Sequence, residues 1–338
     1  MKGLFFGILS VLAICFLSIV SLCVGAVTIP VSDVFSALFF FDPTQYSHSL
    51  IMHQRFPRVL IALFCGAVLA CSGLVLQGLT RNPLASPSTL GINAGAMTAV
   101  LFSAFYTDVG LIAQGGFALV GGTLGFTATV LMAHSIAGND KQWGASLVLS
   151  GVMVSMLLGG IANAILLSDP TRRTEFLNWA AGNISHVYIE RLNHYYGVGL
   201  ISLTILLLLA RPLSLLLLGQ DKAASMGISV RWVTSISLMT AVLGASSAVA
   251  VCGPIAFIGL IVPHVVRPLV GIRFTTTLTV CALTGAALCL IADLLARTLI
   301  APYILNTGLL MDLVGGVFFI WVVRHYYMSN RVNHEPVI

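Results

Sequence analysis

Long uncharged apolar runs alternate with short polar segments along this chain. Because the hydrocarbon core of a bilayer takes about 20 consecutive apolar residues in a helix, each long run predicts one membrane crossing. Residues 32–54 are predicted to form a polar loop, and residues 174–181 a short interfacial helix. The pattern predicts about ten crossings before a polar tail, at residues 4–28, 59–80, 90–107, 117–135, 143–167, 192–210, 232–266 (the seventh and eighth together), 275–296 and 303–324.

The run over residues 232–266 is too long for one membrane helix and too short for two full ones. Gly253-Pro254 and Pro263 are expected to break it into a full helix and a short one, because proline lacks a backbone donor and disfavours helix in the residue before it. Broken backbone at membrane depth is tolerated where protein or a water-filled cavity satisfies the freed groups, so this stretch is a candidate pathway lining. A kink that serves only packing is the alternative. The candidate pathway residues here are Gly253, Pro254, Phe257, Gly259 and Pro263.

The composition excludes a soluble domain. Of the 338 residues, 58% are hydrophobic and only 8% are charged, and the mean hydropathy is +1.02; soluble domains are about 25% charged. We therefore predict an all-α polytopic membrane protein, with a single transmembrane domain over residues 1–338 in contact with membrane lipid. The 16 Lys and Arg residues are scattered singly between apolar runs, so the net charge of +5 predicts no nucleic-acid partner.

The sequence lacks the common motifs of catalysis and metal binding. No GxxxxGK[ST] phosphate loop, HExxH or GxSxG motif occurs. The 7 cysteines lie in apolar runs with no CxxC pair, which supports neither a disulfide framework nor a metal site. An intramembrane hydrolase would need His264 with Asp293 or Asp312, and the predicted spans place these residues near different faces. We therefore predict no catalytic residues, no metal site, no cofactor and no enzymatic activity.

The distribution of Lys and Arg predicts the orientation. Ten crossings place ten basic residues on one face (Lys2, Arg81, Lys141, Arg211, Lys222, Arg231, Arg267, Arg273, Arg324 and Arg331) and six on the other (Arg55, Arg58, Arg172, Arg173, Arg191 and Arg297). Because cytoplasmic loops carry the excess of positive charge, the first face is expected to be cytoplasmic, with both termini inside.

Six ordered motifs carry a resemblance that covers nearly the whole chain. They are RFPR (55–58), the small-residue helix ending in Gln77, RNPLASPSTLG (81–91), DKAASMGIS (221–229), GPIAFIGLIVPHVVR (253–267) and ADLLAR (292–297). The chain resembles the permease subunits of type II ABC importers, the FecCD-type family that takes up ferric siderophores, haem and vitamin B12. It departs from the family pattern in the tenth span, at residues 305–308 and 315–318.

The resemblance implies the fold and the partners. It implies the type II ABC importer permease fold in the bacterial inner (cytoplasmic) membrane, paired with a second permease subunit in a homodimer or heterodimer. Two cytoplasmic ATPase subunits and a periplasmic substrate-binding protein complete such an importer, so ATP hydrolysis is expected in a separate subunit. A ferric siderophore is the expected cargo on family frequency, and haem and cobalamin stay open.

The resemblance also assigns roles to two groups of residues. The short cytoplasmic loop around a predicted helix at 220–226 matches the segment that docks on the ATPase; its residues are Leu218, Gly219, Asp221, Lys222, Ala224 and Gly227. An ordinary solvated connector is the alternative. Arg55, Arg58 and Arg297, at the outer span ends, match arginines that receive acidic residues of the binding protein, since guanidinium forks suit carboxylates. Snorkelling membrane anchors are the alternative there.

Two intramembrane carboxylates suggest a different function class, an ion-coupled secondary transporter using Asp293 and Asp312 as carriers. Asp293 precedes Arg297 by four residues, so a local ion pair explains it without proton transport. Asp312 lies on one helix face with small residues and is expected to point to packed protein or to the pathway. We prefer a buried carboxylate hydrogen-bonded to Asn163 or Ser155, because a fixed charge in the pathway would repel an anionic chelate.

Overall fold

The computed structural model describes residues 2–25, 27–107, 109–137, 143–271, 273–301 and 303–324. The regular elements in these ranges are helices, together with a π-helical turn at Ile51–Arg55 and a 3-10 turn at His186–Tyr188. The predicted polar tail after residue 324 lies outside the described residues. The α-helices are α1 Lys2–Cys23, α2 Val31–Phe39, α3 Tyr46–Leu50, α4 Phe56–Thr80, α5 Ile92–Tyr106, α6 Leu111–Ala137, α7 Trp143–Ser168, α8 Pro170–Ala180, α9 Ile189–Leu208, α10 Ala210–Leu217, α11 Gln220–Ser225, α12 Val230–Cys252, α13 Ile258–Val270, α14 Phe274–Thr298 and α15 Thr307–Val323.

The apolar helices confirm a polytopic all-α membrane fold. Six segments are long and apolar enough to cross a membrane: α1, the run from α3 through α4, α6, α7, α12 and α14. The pair α9 and α10 passes the same test as one span bent by 56°, and α5, α13 and α15 are shorter apolar helices. Together these make ten apolar segments in the described part of the chain, which agrees with the ten predicted crossings.

Helix α4 lies at the centre of the bundle and packs on α9, α12, α13 and α14. Its small residues permit this. A Cβ atom added to Gly66 would collide with the backbone carbonyl of Gly285 on α14, and one added to Gly73 would collide with that of Gly259 on α13. Close approach through small residues is the usual association mode of helices in membranes, and the glycines of the small-residue helix that ends in Gln77 provide it here.

The predicted polar loop over residues 32–54 is wrong, because this segment contains α2, α3 and the π-helical turn that leads into α4. Its polar side chains form local bonds. The backbone N–H of Asp42 donates to His48 Nδ1 (3.0 Å), and His48 Nε2 lies 2.8 Å from the Ser36 hydroxyl. The Thr44 hydroxyl and then its backbone N–H donate to the Asp42 carboxylate, which lowers the pKa of that carboxyl group. Local pairing of this kind satisfies polar groups within helical structure.

Two helix boundaries also differ from the predictions. α15 begins at Thr307, four residues later than predicted, since residues 303–306 are not helical and Asn306 precedes the helix in a β conformation. Pro263 was expected to break a helix, and it lies inside α13. The other predicted break, at Gly253-Pro254, is confirmed, because these residues lie between the end of α12 at Cys252 and the start of α13 at Ile258.

Candidate functional site

Three arginines predicted to lie at the outer span ends converge on one end of the bundle. Arg58 Nη2 lies 2.6 Å from Asp293 Oδ1, and Arg297 Nε lies 3.1 Å from Asp293 Oδ2. The Asp293 carboxylate is fully buried, and Arg58 is 7% exposed. The predicted ion pair between Asp293 and Arg297 is therefore confirmed, and a second cation shares the same carboxylate. A buried carboxylate that is already paired with two guanidinium groups has no free side for a transported ion, which argues against Asp293 as an ion carrier.

Arg55 binds backbone rather than a carboxylate. Its Nη1 donates to the carbonyls of Leu22 (2.6 Å) and Cys23 (2.8 Å), and its Nη2 donates to the carbonyl of Val27. These carbonyls lie at the end of α1 and just beyond it, where a helix leaves its last carbonyl groups without intrahelical partners. Arg55 thus caps the C-terminal end of α1 and links it to the start of α4.

The three arginines line one cavity, called the arginine cavity below, with a volume of about 470 Å³. It lies between the segment before α4, the end of α8, the 3-10 turn, the end of α14 and the start of α15. Its other polar lining residues are Tyr46, Gln54, Asn178, Asn183, Ser185, His186 and Asn306. The predicted docking residues Arg55, Arg58 and Arg297 are therefore brought together, and they meet the solvent through this cavity rather than on an open surface.

The non-helical segment between α12 and α13 packs against the segment that follows α8. Gly253 has a φ of +77°, which favours glycine, and a Cβ atom there would collide with the carbonyl of Trp179. The N–H of Asn183 donates to Cys252 O (2.8 Å), and the N–H of Gly308 donates to Gly182 O (2.7 Å). The ends of α8 and α12 and the start of α15 therefore meet directly below the arginine cavity.

The carbonyl freed by Pro263 is satisfied by another helix. Pro263 cannot donate to Gly259 O, and Gln77 Nε2 of α4 donates to Gly259 O and Leu260 O instead, at 3.3 Å each. Gly259 and Pro263 are buried, and Gly259 lies against Leu69 and Gly73 of α4. These two predicted pathway residues thus contact the core of their own protomer.

Phe257 holds a left-handed backbone conformation with a φ of +65°, which is uncommon for a residue other than glycine. It precedes α13, and its ring lies against Gly315 of α15, where any side chain on the glycine would collide with it. Pro254 is partly exposed beside this contact. The contact between Phe257 and Gly315 fixes α15 relative to the break.

Asp312 is exposed in the protomer. The predicted hydrogen bond to Asn163 or Ser155 is wrong: Asn163 is exposed, the Ser155 hydroxyl is buried without a hydrogen-bond partner, and α15 packs on α13 and α14. The predicted small-residue face is present in part, because Gly308 and Gly315 contact neighbouring backbone and side chains while Gly316 faces open space. Asp312 lies beside this face, on the side that the protomer leaves uncovered.

The predicted ATPase-coupling segment forms a short exposed helix, α11. Gly219, with a φ of +138°, precedes it, and Gly227, with a φ of +80°, follows it, so the predicted stop at Gly227 is confirmed. Leu218, Asp221, Lys222 and Ala224 are exposed, while Ala223 is buried and anchors the helix. α12 starts beside α11 and ends beside the arginine cavity, and its 23 residues span about 35 Å. The coupling segment and the cavity therefore lie at opposite ends of the bundle.

Sequence reasoning missed Arg191, which it used only in the charge count. Arg191 is 2% exposed; its Nη2 donates to Gln114 Oε1 (2.7 Å) and its Nε to Leu111 O (2.9 Å). The guanidinium carbon lies 5.5 Å from the ring centroid of Trp179 and 5.4 Å from that of Tyr188. This side chain ties α6, α8 and α9 together. The aromatic residues on both sides of it in sequence were the available signal.

Comparisons with known proteins cover most of the chain. The sequence model of the FecCD transport family matches residues 12–325. The iron(3+)-hydroxamate import system permease protein FhuB of Bacillus subtilis (strain 168) is 33% identical over 313 residues, which cover 92% of this chain and 80% of the relative. The hemin transport system permease protein HmuU of Yersinia pestis is 36% identical over 287 residues, which cover 80% of this chain and 82% of the relative.

A solved structure has the same architecture. It is described as a metal-chelate type ABC transporter in an inward-facing conformation, and it matches with a TM-score of 0.77 at 25% identity. The match covers 95% of this chain and 99% of the solved chain. Sequence and structure comparisons therefore indicate the same class of membrane transporter over nearly the full length.

Proposed function

The chain belongs to the FecCD transport family and is the permease subunit of a metal-chelate ABC importer, and we propose that its cargo is a ferric siderophore. It is a multi-pass protein of the inner membrane, and ATP is hydrolysed by a separate subunit. Membership of the family implies a complex with ATPase and substrate-binding partners.

The choice of cargo rests on what similar permeases are named for. Several of them are named for ferric chelates, namely iron(3+)-hydroxamate, Fe(3+) dicitrate and ferric enterobactin. The relative FhuB is named for iron(3+)-hydroxamate import and HmuU for hemin, so both cargo types occur among similar permeases. Haem is therefore the alternative that the cargo experiment must separate.

The arginine cavity faces the periplasm in this proposal, and both termini and α11 face the cytoplasm. The excess of basic residues on the α11 side supports this orientation. The exposed residues of α11 dock on the ATPase, and the arginine cavity receives carboxylates of the substrate-binding protein. Both roles are supported by the placement of these elements about 35 Å apart at opposite ends of α12.

A second permease subunit covers the exposed apolar faces of α7 and α15, and the pathway runs between the two subunits. Met153, Met156 and Leu157 of α7 and Leu313 and Val317 of α15 are exposed in the protomer. Asp312 lies on the same side of α15. Pro254, Phe257 and Asp312 are the predicted pathway residues that remain accessible for contact with cargo. The other three, Gly253, Gly259 and Pro263, are buried within the protomer.

Uptake in a strain that lacks its own chelate permeases tests the cargo. We expect the complete importer, with its ATPase and binding protein, to accumulate radio-iron supplied as a ferric siderophore, and vanadate to abolish the uptake. Uptake of haem or cobalamin with no uptake of ferric chelates would contradict the proposed cargo. Uptake that collapses with a protonophore at constant ATP would contradict the energy source.

A further inference from the structure

The arginine cavity carries more positive charge than its own residues neutralise. Arg58 and Arg297 share the single carboxylate of Asp293, and Arg55 binds only backbone carbonyls. The four groups therefore sum to a formal charge of +2, and no Asp or Glu is among the described residues that line the cavity. Cations withdrawn from water are costly without a balancing anion, so the cavity attracts anions.

Unused hydrogen-bonding groups lie in the same place. Arg58 Nε is buried without a hydrogen-bond partner, on a side chain that is more than nine-tenths buried and lines the cavity. Asn183 Oδ1 is buried and unpartnered as well, and the exposed Asn178 lies at the cavity wall. The guanidinium groups that line the cavity suit an oxyanion, and the amide of Asn178 at its wall suits a hydroxyl group on the same ligand.

The size of the cavity indicates what kind of anion fits. Its volume of about 470 Å³ lies within the range of small-molecule sites and exceeds what one acidic side chain from a partner protein fills. Two carboxylates on one ligand balance the excess charge of +2. We propose that the arginine cavity binds a free di- or tricarboxylate anion from solution, bound by Arg55, Arg58 and Arg297 without any help from the substrate-binding protein.

The site reaches the helix that carries Asp312. Asn306 lines the cavity and directly precedes α15, and the carbonyl of Asn306 accepts the N–H of Leu310. An anion in the cavity therefore contacts the start of α15. The inference deepens the proposed function, because it assigns a ligand class to a cavity of the importer, and it rests on that function only for the side of the membrane that the cavity faces.

Calorimetric titration of citrate into the full-length permease in nanodiscs tests the site, because both faces are then accessible and no binding protein is present. We expect saturable citrate binding that weakens as the ionic strength rises. Asn178→Asp adds a carboxylate at the cavity wall with little change of shape, and we expect it to weaken citrate binding roughly tenfold. Asn193→Asp is the matched control, because Asn193 is exposed on α9, in the loop-proximal turn that does not line the cavity, and receives the same charge change.

The results separate this inference from the proposed function. Absence of saturable citrate binding to the wild type, or equal binding by Asn178→Asp and the wild type, overturns the anion site. Docking of the binding protein to the same nanodiscs is a separate measurement, and the proposed docking role would not be affected by that result. Conversely, citrate binding together with haem as the transported cargo would overturn the proposed cargo and leave the anion site intact.

Discussion

Arg58 Nη2 and Asp293 Oδ1 lie 2.6 Å apart, although 235 positions separate the two residues in the chain. The pair joins the start of α4 to the end of α14, and Arg297 binds the same carboxylate from within α14. Because the three side chains are largely withdrawn from water, the carboxylate balances two charges that have no other acidic partner in the described part of the chain. Loss of the aspartate should therefore cost more than loss of an exposed ion pair.

Asp293→Asn tests this cluster. The amide keeps the shape and removes the charge, leaving two guanidinium groups uncompensated, so we expect the free energy of unfolding to fall by about 3–5 kcal/mol. Denaturant unfolding of the purified permease in detergent measures the change. Asp221→Asn is the control, since Asp221 is exposed on α11. Equal stabilities of the two variants would show that the buried carboxylate contributes no more than an exposed one.

Arg191→Lys tests the side chain that ties α6, α8 and α9 together. Lysine keeps the positive charge and loses the planar fork that donates to Leu111 O and Gln114 Oε1 while lying against two aromatic rings. We expect a loss of about 2 kcal/mol in unfolding free energy, from the hydrogen bonds and the cation–π contacts. Glu190→Gln, at the exposed neighbouring position, should leave stability unchanged. Wild-type stability of the lysine variant would mean that charge alone matters at this position.

The contact of α4 with α13 depends on the absence of a side chain at Gly73. A methyl group there would collide with the Gly259 carbonyl, whose position is also fixed by Gln77. We expect Gly73→Ala to destabilise the protein by about 1–3 kcal/mol, as overpacking does in tight cores. Gly160→Ala on α7, where an added Cβ atom meets only open space, is the matched control. Thermal unfolding of both variants in detergent should separate them, and similar melting temperatures would refute the close contact.

Sequence periodicity and composition predict local features well in this chain. The ten apolar segments, the packing of Gly66 and Gly73, the ion pair of Asp293 with Arg297 and the helix end at Gly227 were all predictable. Each depends on residues within one helix or on the thickness of the bilayer, so a short window of sequence contains the information.

Features that depend on contacts between different helices were not predictable. The pairing of Arg58 with Asp293 joins residues on different helices, and no local pattern specifies it. The helices within residues 32–54 are stabilised by contacts such as His48 with Ser36, which make polar residues compatible with helix. Asp312 was expected to be buried because its neighbours are small, but the protomer leaves that side of α15 uncovered.

Ala224 offers the sharpest test of the coupling segment. Its side chain is exposed on α11, whereas substitution of Gly227 would also strain a backbone with a φ of +80°. A tryptophan at position 224 should prevent a partner groove from closing on the helix, so we expect Ala224→Trp to abolish co-purification of the ATPase while membrane insertion is retained. Ser135→Trp, at an exposed position near the end of α6, controls for added bulk. Undiminished co-purification with Ala224→Trp would rule out docking at α11.

Asp312 combines a carboxylate with an exposed position on a membrane helix. A carboxylate facing lipid at the centre of a bilayer costs about 2.5–3.5 kcal/mol, so this side of α15 must meet protein or water in the assembled importer. Asp312→Asn should leave the unfolding free energy of the protomer within about 0.5 kcal/mol of the wild type, as expected for a conservative substitution at an exposed position.

Transport by the same variant distinguishes the pathway from the subunit interface. A fixed negative charge beside the pathway repels anionic cargo, so we expect Asp312→Asn to raise the uptake of anionic chelates relative to neutral ones while the importer assembles normally. Leu313→Asn places the same amide one residue away and leaves the charge of Asp312 in place, so it should not change this ratio. The opposite result would be an unchanged uptake ratio for Asp312→Asn together with loss of assembly for Asp312→Leu. It would assign the carboxylate to the subunit interface, because a polar group would then be needed for association and not for selection among cargoes.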